Sequence, residues 1–329
     1  MTAELKPFRI GELEIDFPVI MAPLAGYSDL AYRMICRQLG AAYCATEMML
    51  DRMLLTDGKL RRRLVKLCED DHPVAGQLIG NDPQTMASAA AILCRMGFDV
   101  VDLNFACPVR KALSRRRGGY LMSQPDRVIE IARAAIAAAD RPVTLKLRRK
   151  FRAADDDGAF WRIAEAAFGA GAAAVCLHPR SVEQKYAGHA DWAFLAEVKR
   201  RFGEATIIGS GDVLKPADAL AMFERTGADA VAVARGCLGN PWFFRQVADV
   251  AAGREPYRPS LAEQRGLLHR HFAHSCDLYG PVRGPKHMRK FGIRYARLHP
   301  RPKEVRAAFV AVKSPRQWQA VLEKFYRVG

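Results

Sequence analysis

Residues 142–178 read PVTLKLRRKFRAADDDGAFWRIAEAAFGAGAAAVCLH, and the fold follows from this stretch. Its ends, 142–147 and 172–178, are short apolar runs that do not alternate between apolar and polar residues. Strands buried on both faces read this way. Between them, 159–169 has the composition of a helix. Strand, helix and strand in this order make one unit of a parallel sheet.

The unit repeats in both directions along the chain. Apolar runs occur at 18–22, 41–46, 74–79, 99–104, 205–209 and 229–234, with helix-like segments at 84–96, 125–139, 191–202 and 216–226. Eight strand–helix units over about 240 residues fit an α/β (β/α)8 TIM barrel better than an open doubly wound sheet. The alternating segment 8–17 (FRIGELEIDF) is expected to form a hairpin at the entry to the barrel. The Gly- and Pro-bearing stretch 251–260 reads as a corner. Beyond it, 261–279, 284–298, 302–311 and 315–327 lack strand patterning. The expected organisation is therefore a catalytic barrel over 1–253 and a small all-α domain over 254–329.

Charge separates these two parts. The chain carries a net +16, and residues 258–329 hold sixteen Lys and Arg against four Asp and Glu. A basic module on a near-neutral body points to a polyanionic partner, usually nucleic acid. No run approaches the roughly 18 apolar residues of a membrane span. The opening MTAELKPFRIGELEIDF lacks the pattern of a secretory signal. The eight cysteines are scattered without C-x-x-C or zinc-like spacing, so a reducing cytoplasm and no metal are expected.

Several strand runs end in polar tips: Gln77, Asn104, Lys146, His178, Ser210-Gly211-Asp212 and Arg235-Gly236. Polar residues at the C-terminal ends of barrel strands converge on the face that carries active sites. The stretches after the seventh and eighth runs, Gly209-Ser210-Gly211-Asp212 and Ala234-Arg235-Gly236, offer small residues that let backbone N–H groups approach a phosphate. Cys107-Pro108 follows the fourth run, with Lys111 and Arg115-Arg116-Arg117 close behind. A thiol in such a basic, partly exposed setting can exchange a proton. Lys146 and His178 end the fifth and sixth runs, and a cation there can stabilise a reduced, anionic flavin ring.

The order of these motifs resembles the tRNA-dihydrouridine synthases. Met21-Ala22-Pro23-Leu24-Ala25-Gly26-Tyr27-Ser28-Asp29 is similar to the family's opening motif. Glu47-Met48-Met49, Gln77-Leu78-Ile79-Gly80, Asn104-Phe105-Ala106-Cys107-Pro108, Lys146, His178-Pro179-Arg180 and Arg235–Trp242 follow in family order. The segment 284–290, ending in Tyr295, resembles the helical domain of the bacterial B-type members. The resemblance implies an FMN in the barrel mouth. Pro23, Leu24 and Ala25 would line its ring, Gln77 would bond its pyrimidine edge and Lys146 would sit beside it. His178, Ser210, Gly211, Asp212, Ala234 and Arg235 would hold its chain and phosphate. It further implies reduction by NADPH or NADH, hydride transfer to C6 of a flipped-out uridine, and protonation of C5 by Cys107. Asn104, Lys111, Arg180, Lys286, Arg289 and Lys290 are expected to meet the tRNA, and a monomer is expected.

Three positions depart from the family pattern: Ala106 and Ser210 replace its usual Gly and Asn, and Tyr120 replaces a small residue. Two other readings stay open at this level. One is a flavin-dependent barrel oxidoreductase with a small-molecule substrate. The other is an RNA-binding protein on a degenerate barrel.

Overall fold

The computed structural model describes residues 4–327. Two short antiparallel strands, β1 (Phe8–Ile10) and β2 (Leu13–Ile15), precede the barrel. The other strands are β3 (Val19–Met21), β4 (Cys44–Ala45), β5 (Met49–Leu50), β6 (Val74–Ile79), β7 (Val100–Asn104), β8 (Val143–Arg148), β9 (Ala174–His178), β10 (Ile207–Ser210) and β11 (Ala230–Val233). Parallel pairing runs from β4 through β3, β11, β10, β9, β8 and β7 to β6, and a β4–β6 pairing closes the ring. This is an eight-stranded barrel, with β5 as a short extra partner of β6. All eight apolar runs of the sequence are its staves, and the segment at 8–17 is a hairpin as expected.

The helices are α1 (Leu30–Arg37), α2 (Asp51–Leu54), α3 (Lys59–Leu64), α4 (Pro83–Arg95), α5 (Arg110–Leu113), α6 (Pro125–Ala138), α7 (Gly158–Gly169), α8 (Trp192–Phe202), α9 (Pro216–Thr226) and α10 (Phe243–Ala251). Four more follow: α11 (Leu261–Tyr279), α12 (Arg283–Tyr295), α13 (Pro302–Val310) and α14 (Pro315–Phe325). Ser260 caps α11 and exchanges hydrogen bonds with Glu263 in a capping box, which marks the helix start chemically. Among the described residues, no helix is long and apolar enough to cross a membrane.

Side chains alternate across a strand, and this parity divides the barrel into two shells. The outward set, including Val101, Leu103, Leu145, Val175, Val231 and Val233, packs under the helices. The inward set at the bottom is Val100, Ala174, Ile208 and Ala230, plugged by Phe8, Ile10 and Ile15 of the hairpin. The hairpin thus fills the end of the barrel away from the strand tips. Higher up, the same inward parity carries Gln77, Asp102, Asn104, Thr144, Lys146, Arg148, His178 and Ser210.

The outer core continues into the C-terminal helices, where Leu267, Leu268, Phe291, Phe309 and Trp318 belong to the same apolar cluster as the barrel shell. Tyr32 of α1 donates to the Cys237 carbonyl at 2.6 Å and stacks on His271 of α11. Gly292 passes so close to Phe309 that a Cβ would lie 2.5 Å from its ring.

Candidate active site at the barrel mouth

The polar inward residues meet in register. Gln77 pairs with Asp102, Asp102 with Thr144, Asn104 with Lys146, Lys146 with Cys176 and Arg148 with His178. Their side chains bond along the same rungs. Gln77 Nε2 donates to Asp102 at 2.7 Å, Thr144 Oγ1 donates to Asp102 at 2.7 Å, and Asn104 Nδ2 donates to Gln77 Oε1 at 2.8 Å. Asp102 is buried, which pushes its carboxyl up, opposed by Gln77, Thr144 and the charge of Lys146.

Above this floor opens a cavity of about 330 Å³. It is lined by Pro23, Leu24, Ala25, Gln77, Asn104, Cys107, Lys146, His178, Ser210, Gly211, Ala234 and Arg235, all of which the sequence singled out. Met48, Arg148, Tyr186 and Leu238 also line it. Such a volume, largely apolar with a few convergent polar groups, is that of a small-molecule site. Among the described residues, no cluster of His, Cys, Asp and Glu is arranged to hold a metal.

Lys146 Nζ donates only weakly, to Ser210 Oγ at 3.4 Å and Cys176 Sγ at 3.7 Å. Among the described residues, no carboxylate forms an ion pair with it. Ser210, at the position of the departure, therefore takes the lysine hydrogen bond. Gly211 adopts φ +110°, and a Cβ there would lie 2.7 Å from the His178 ring. The turn can close over His178 only without a side chain.

Cys107 is 8% exposed on the cavity rim. Asn104 Oδ1 accepts from the N–H groups of Ala106 and Cys107, both at 3.0 Å, which folds the loop back over the strand end. Gly119 N–H donates to the Cys107 carbonyl at 3.0 Å, and a Cβ on Gly119 would strike Val182 at 2.8 Å. Arg148 Nε donates to the Ala106 carbonyl at 3.2 Å. Burial pushes the Cys107 thiol up, against a hydrogen bond from the Val109 backbone and the charge of Arg148. The thiol is therefore protonated at neutral pH, as a proton donor must be. Tyr120, the third departure, packs edge-on against Phe151, outside the cavity lining.

His178 is held neutral. Burial, followed by the positive charges of Arg148, Lys146, Arg180 and Arg235, lowers its pKa to about 2. Arg180 Nη1 lies 3.1 Å from His178 Nε2. Because a guanidinium only donates, this assigns the imidazole proton to Nδ1. In the C-terminal helices, burial lowers His271 to about 3. Both histidines favour folding fully above about pH 6.5, and that contribution is lost progressively as pH falls towards their native values. Each should cost about 2 kcal/mol of stability by pH 5. Urea unfolding at pH 7 and pH 5 measures the loss, and equal stability at both would refute the neutral assignment.

The structure corrects some expectations. Arg180 was expected near RNA, but it is buried, donating to Asp212, His178 and the carbonyls of Ala187 and Gly188. Asp212 was expected among the residues that hold the chain and phosphate. Its side chain neutralises Arg180 and lies 3.4 Å from Arg235, so only its backbone could face an anion. Lys290 is half-buried and donates to the Gly26 carbonyl. Lys111, Lys286 and Arg289 are exposed, as an RNA-facing surface requires.

Among the cavity residues that were missed, two carry polar or aromatic groups, Arg148 and Tyr186. Arg148 shares the inward parity of Lys146, two residues on, so the period of the strand could have revealed it. Tyr186 lies in the loop after β9, with Arg148 and Arg235 5.7 and 5.1 Å from its ring centre. No local pattern marks it. It is 56% exposed at the mouth, a flat face beside two guanidinium groups.

The fold and the mouth define a TIM-barrel enzyme with its chemistry at the C-terminal ends of the strands. The chain belongs to the dihydrouridine synthase family, whose model matches residues 20–328. It is 34% identical to a probable tRNA-dihydrouridine synthase of Mycobacterium tuberculosis over 96% of this chain and 84% of that protein. It is 33% identical to tRNA-dihydrouridine synthase B of Xanthomonas campestris pv. campestris, covering 97% and 95% of the two chains. Among solved structures, morphinone reductase superposes with a TM-score of 0.57 at 16% identity, covering 79% of this chain and 92% of that one. A 2-naphthoyl-CoA reductase gives 0.60 at 13% identity, with 76% and 52% covered. These two similarities concern the fold alone.

Proposed function

We propose that this protein reduces a uridine of transfer RNA to 5,6-dihydrouridine in the cytoplasm, with FMN as cofactor and NADPH or NADH as reductant. The observation that carries the reading is the buried thiol of Cys107 on the rim of the cavity that also takes in Lys146. Membership of the family supplies its context.

The residues present fit an FMN. Lys146 has weak partners and can turn to a negatively charged ring. Gln77 keeps one amide N–H and one lone pair beyond its bonds to Asp102 and Asn104. The walls of Pro23, Leu24 and Ala25 are apolar enough for a flat ring; the Gly211 turn and Ala234 leave room for a phosphate, and Arg235 supplies a positive charge beside it. Once bound and reduced, the flavin supplies the hydride for uracil C6. Asn104 and Arg148 hold the loop that presents Cys107, whose Sγ–H passes its proton to C5. Tyr186 provides a face against which a flipped base can stack. The basic helices of 254–329, through exposed Lys286 and Arg289, dock the RNA on the barrel of 1–253, and Lys111 meets it beside the cysteine loop.

Mapping of dihydrouridine in total RNA, with and without the gene, tests the reading. A site lost with the gene and restored by the purified enzyme, NADPH and unmodified tRNA is the expected result. A yellow protein that never marks RNA would favour a small-molecule reductase instead. For Lys146→Ala, flavin binding should weaken by about 1.5–3 kcal/mol, the worth of a charge-assisted hydrogen bond. Titration of the apoprotein with FMN and stopped-flow reduction by NADPH measure it. Unchanged values in both would remove Lys146 from the cofactor site.

A further inference from the structure

We propose that Lys290, together with His287, makes helix α12 a strut between the basic C-terminal helices and the Leu24–Asp29 wall of the cavity, so that RNA docked outside sets the geometry inside. The proposal rests on the RNA-directed function proposed above.

The wall is tied into one unit by its own hydrogen bonds. Leu24 N–H donates to Ser28 Oγ at 2.9 Å, and the N–H groups of Tyr27 and Ser28 donate to the Leu24 carbonyl at 2.8 and 2.9 Å. On its inner side Leu24, Ala25 and Tyr27 line the cavity. At its end Asp29 caps α1, accepting from Tyr32 N–H at 2.9 Å.

On its outer side the same loop is gripped by α11 and α12. His287 Nε2 lies 2.7 Å from Asp29 Oδ2, Tyr279 OH donates to that oxygen at 2.8 Å, and Lys290 Nζ donates to the Gly26 carbonyl. The Lys290 ammonium also lies 5.0 Å from the centre of the Tyr27 ring, which meets Phe291 edge-on at 5.4 Å. Gly26 adopts φ +78°, a conformation that other residues reach only with strain. The carbonyl that Lys290 holds thus sits at the tightest bend of the wall.

The surroundings point the same way. Glu47, Asp29 and Arg63 are the charged groups around Lys290, and burial lowers its affinity for a proton. Lys286 and Arg289, on the same helix, are exposed. One helix therefore carries outward cations that can reach phosphate and an inward cation that reaches the pocket wall. A shift of the wall by an ångström would misplace whatever lies against Tyr27, and misplacement of that size is costly to a reaction.

The test uses the full-length flavin-loaded enzyme. tRNA binding is measured at several salt concentrations, and single-turnover oxidation is measured at saturating tRNA. Lys290→Met should keep the wild-type salt slope but lower the saturating rate roughly ten- to a hundredfold. Lys290→Arg, which restores a donor, should recover most of it. Lys286→Met should lower the salt slope by about 0.7–0.9 for each phosphate the side chain no longer reaches. His287→Gln provides the same test of the strut if Lys290→Met does not fold, and should likewise slow turnover without changing the slope. A reduced slope with an unchanged saturating rate in Lys290→Met would make Lys290 a phosphate ligand and overturn the strut. Failure of the functional reading looks different: reduced wild-type enzyme would then not be oxidised by tRNA at any concentration, even where tRNA binds through its charge.

Discussion

Cys107→Ala is expected to bind FMN and accept electrons from NADPH much as the parent enzyme does, while dihydrouridine formation falls about 10²–10⁴-fold, the usual worth of a positioned general acid. The cysteine lies on the cavity rim, held through its backbone by Asn104 and Gly119, and neither hydrogen bond uses the sulfur. Its removal should therefore leave the loop standing. The relevant step is single-turnover oxidation of the reduced enzyme by unmodified tRNA. In the parent, burial raises the thiol above its ordinary range. The rate should therefore stay level through neutral pH and fall only as the thiol loses its proton in strongly alkaline solution. That alkaline limb should vanish in the Ala variant. A cysteine with a purely structural role would show the reverse pattern, with fold or flavin lost first and the rate per folded molecule kept. Wild-type oxidation by the variant would remove Cys107 from the chemistry.

Arg180→Met should have the largest effect on stability. Its guanidinium is 1% exposed, bridges Asp212 at 2.7–2.8 Å and orients His178. Removing one partner of a buried ion pair typically costs about 3–5 kcal/mol, because the other charge is left without compensation. Asp212 keeps a side-chain exposure of 23%, and water there should hold the loss to about 3 kcal/mol. Urea unfolding of the apoprotein measures it. Flavin retention should weaken as well, since the Gly211 turn and His178 both lean on this pair. The salt dependence of RNA binding should not change. A stable variant with a reduced salt slope would restore Arg180 to the RNA surface where the sequence suggested it belonged.

Much of this protein was legible before its fold was known, for reasons that are local. Strands buried on both faces must be continuously apolar, so eight runs such as 142–147 and 172–178 were visible as staves. Chain order then assigned their polar tips to one face, because parallel strands in a barrel all end at the same rim. Gln77, Asn104, Lys146 and His178 met in one cavity by this logic alone, and the period of two could have added Arg148.

The rest depended on partners distant in sequence. Arg180 and Lys290 look like free cations in the chain, and whether a cation meets solvent or a buried carboxylate or carbonyl depends on what folds against it. Asp212 lies 32 residues from Arg180, and Gly26 lies 264 residues from Lys290. Tyr186 gains its place only when a loop brings it between Arg148 and Arg235. The basic tail was visible as charge, but its packing against the wall of the reaction pocket was not. Composition records how many charges a segment carries, and only close packing decides which of them face water.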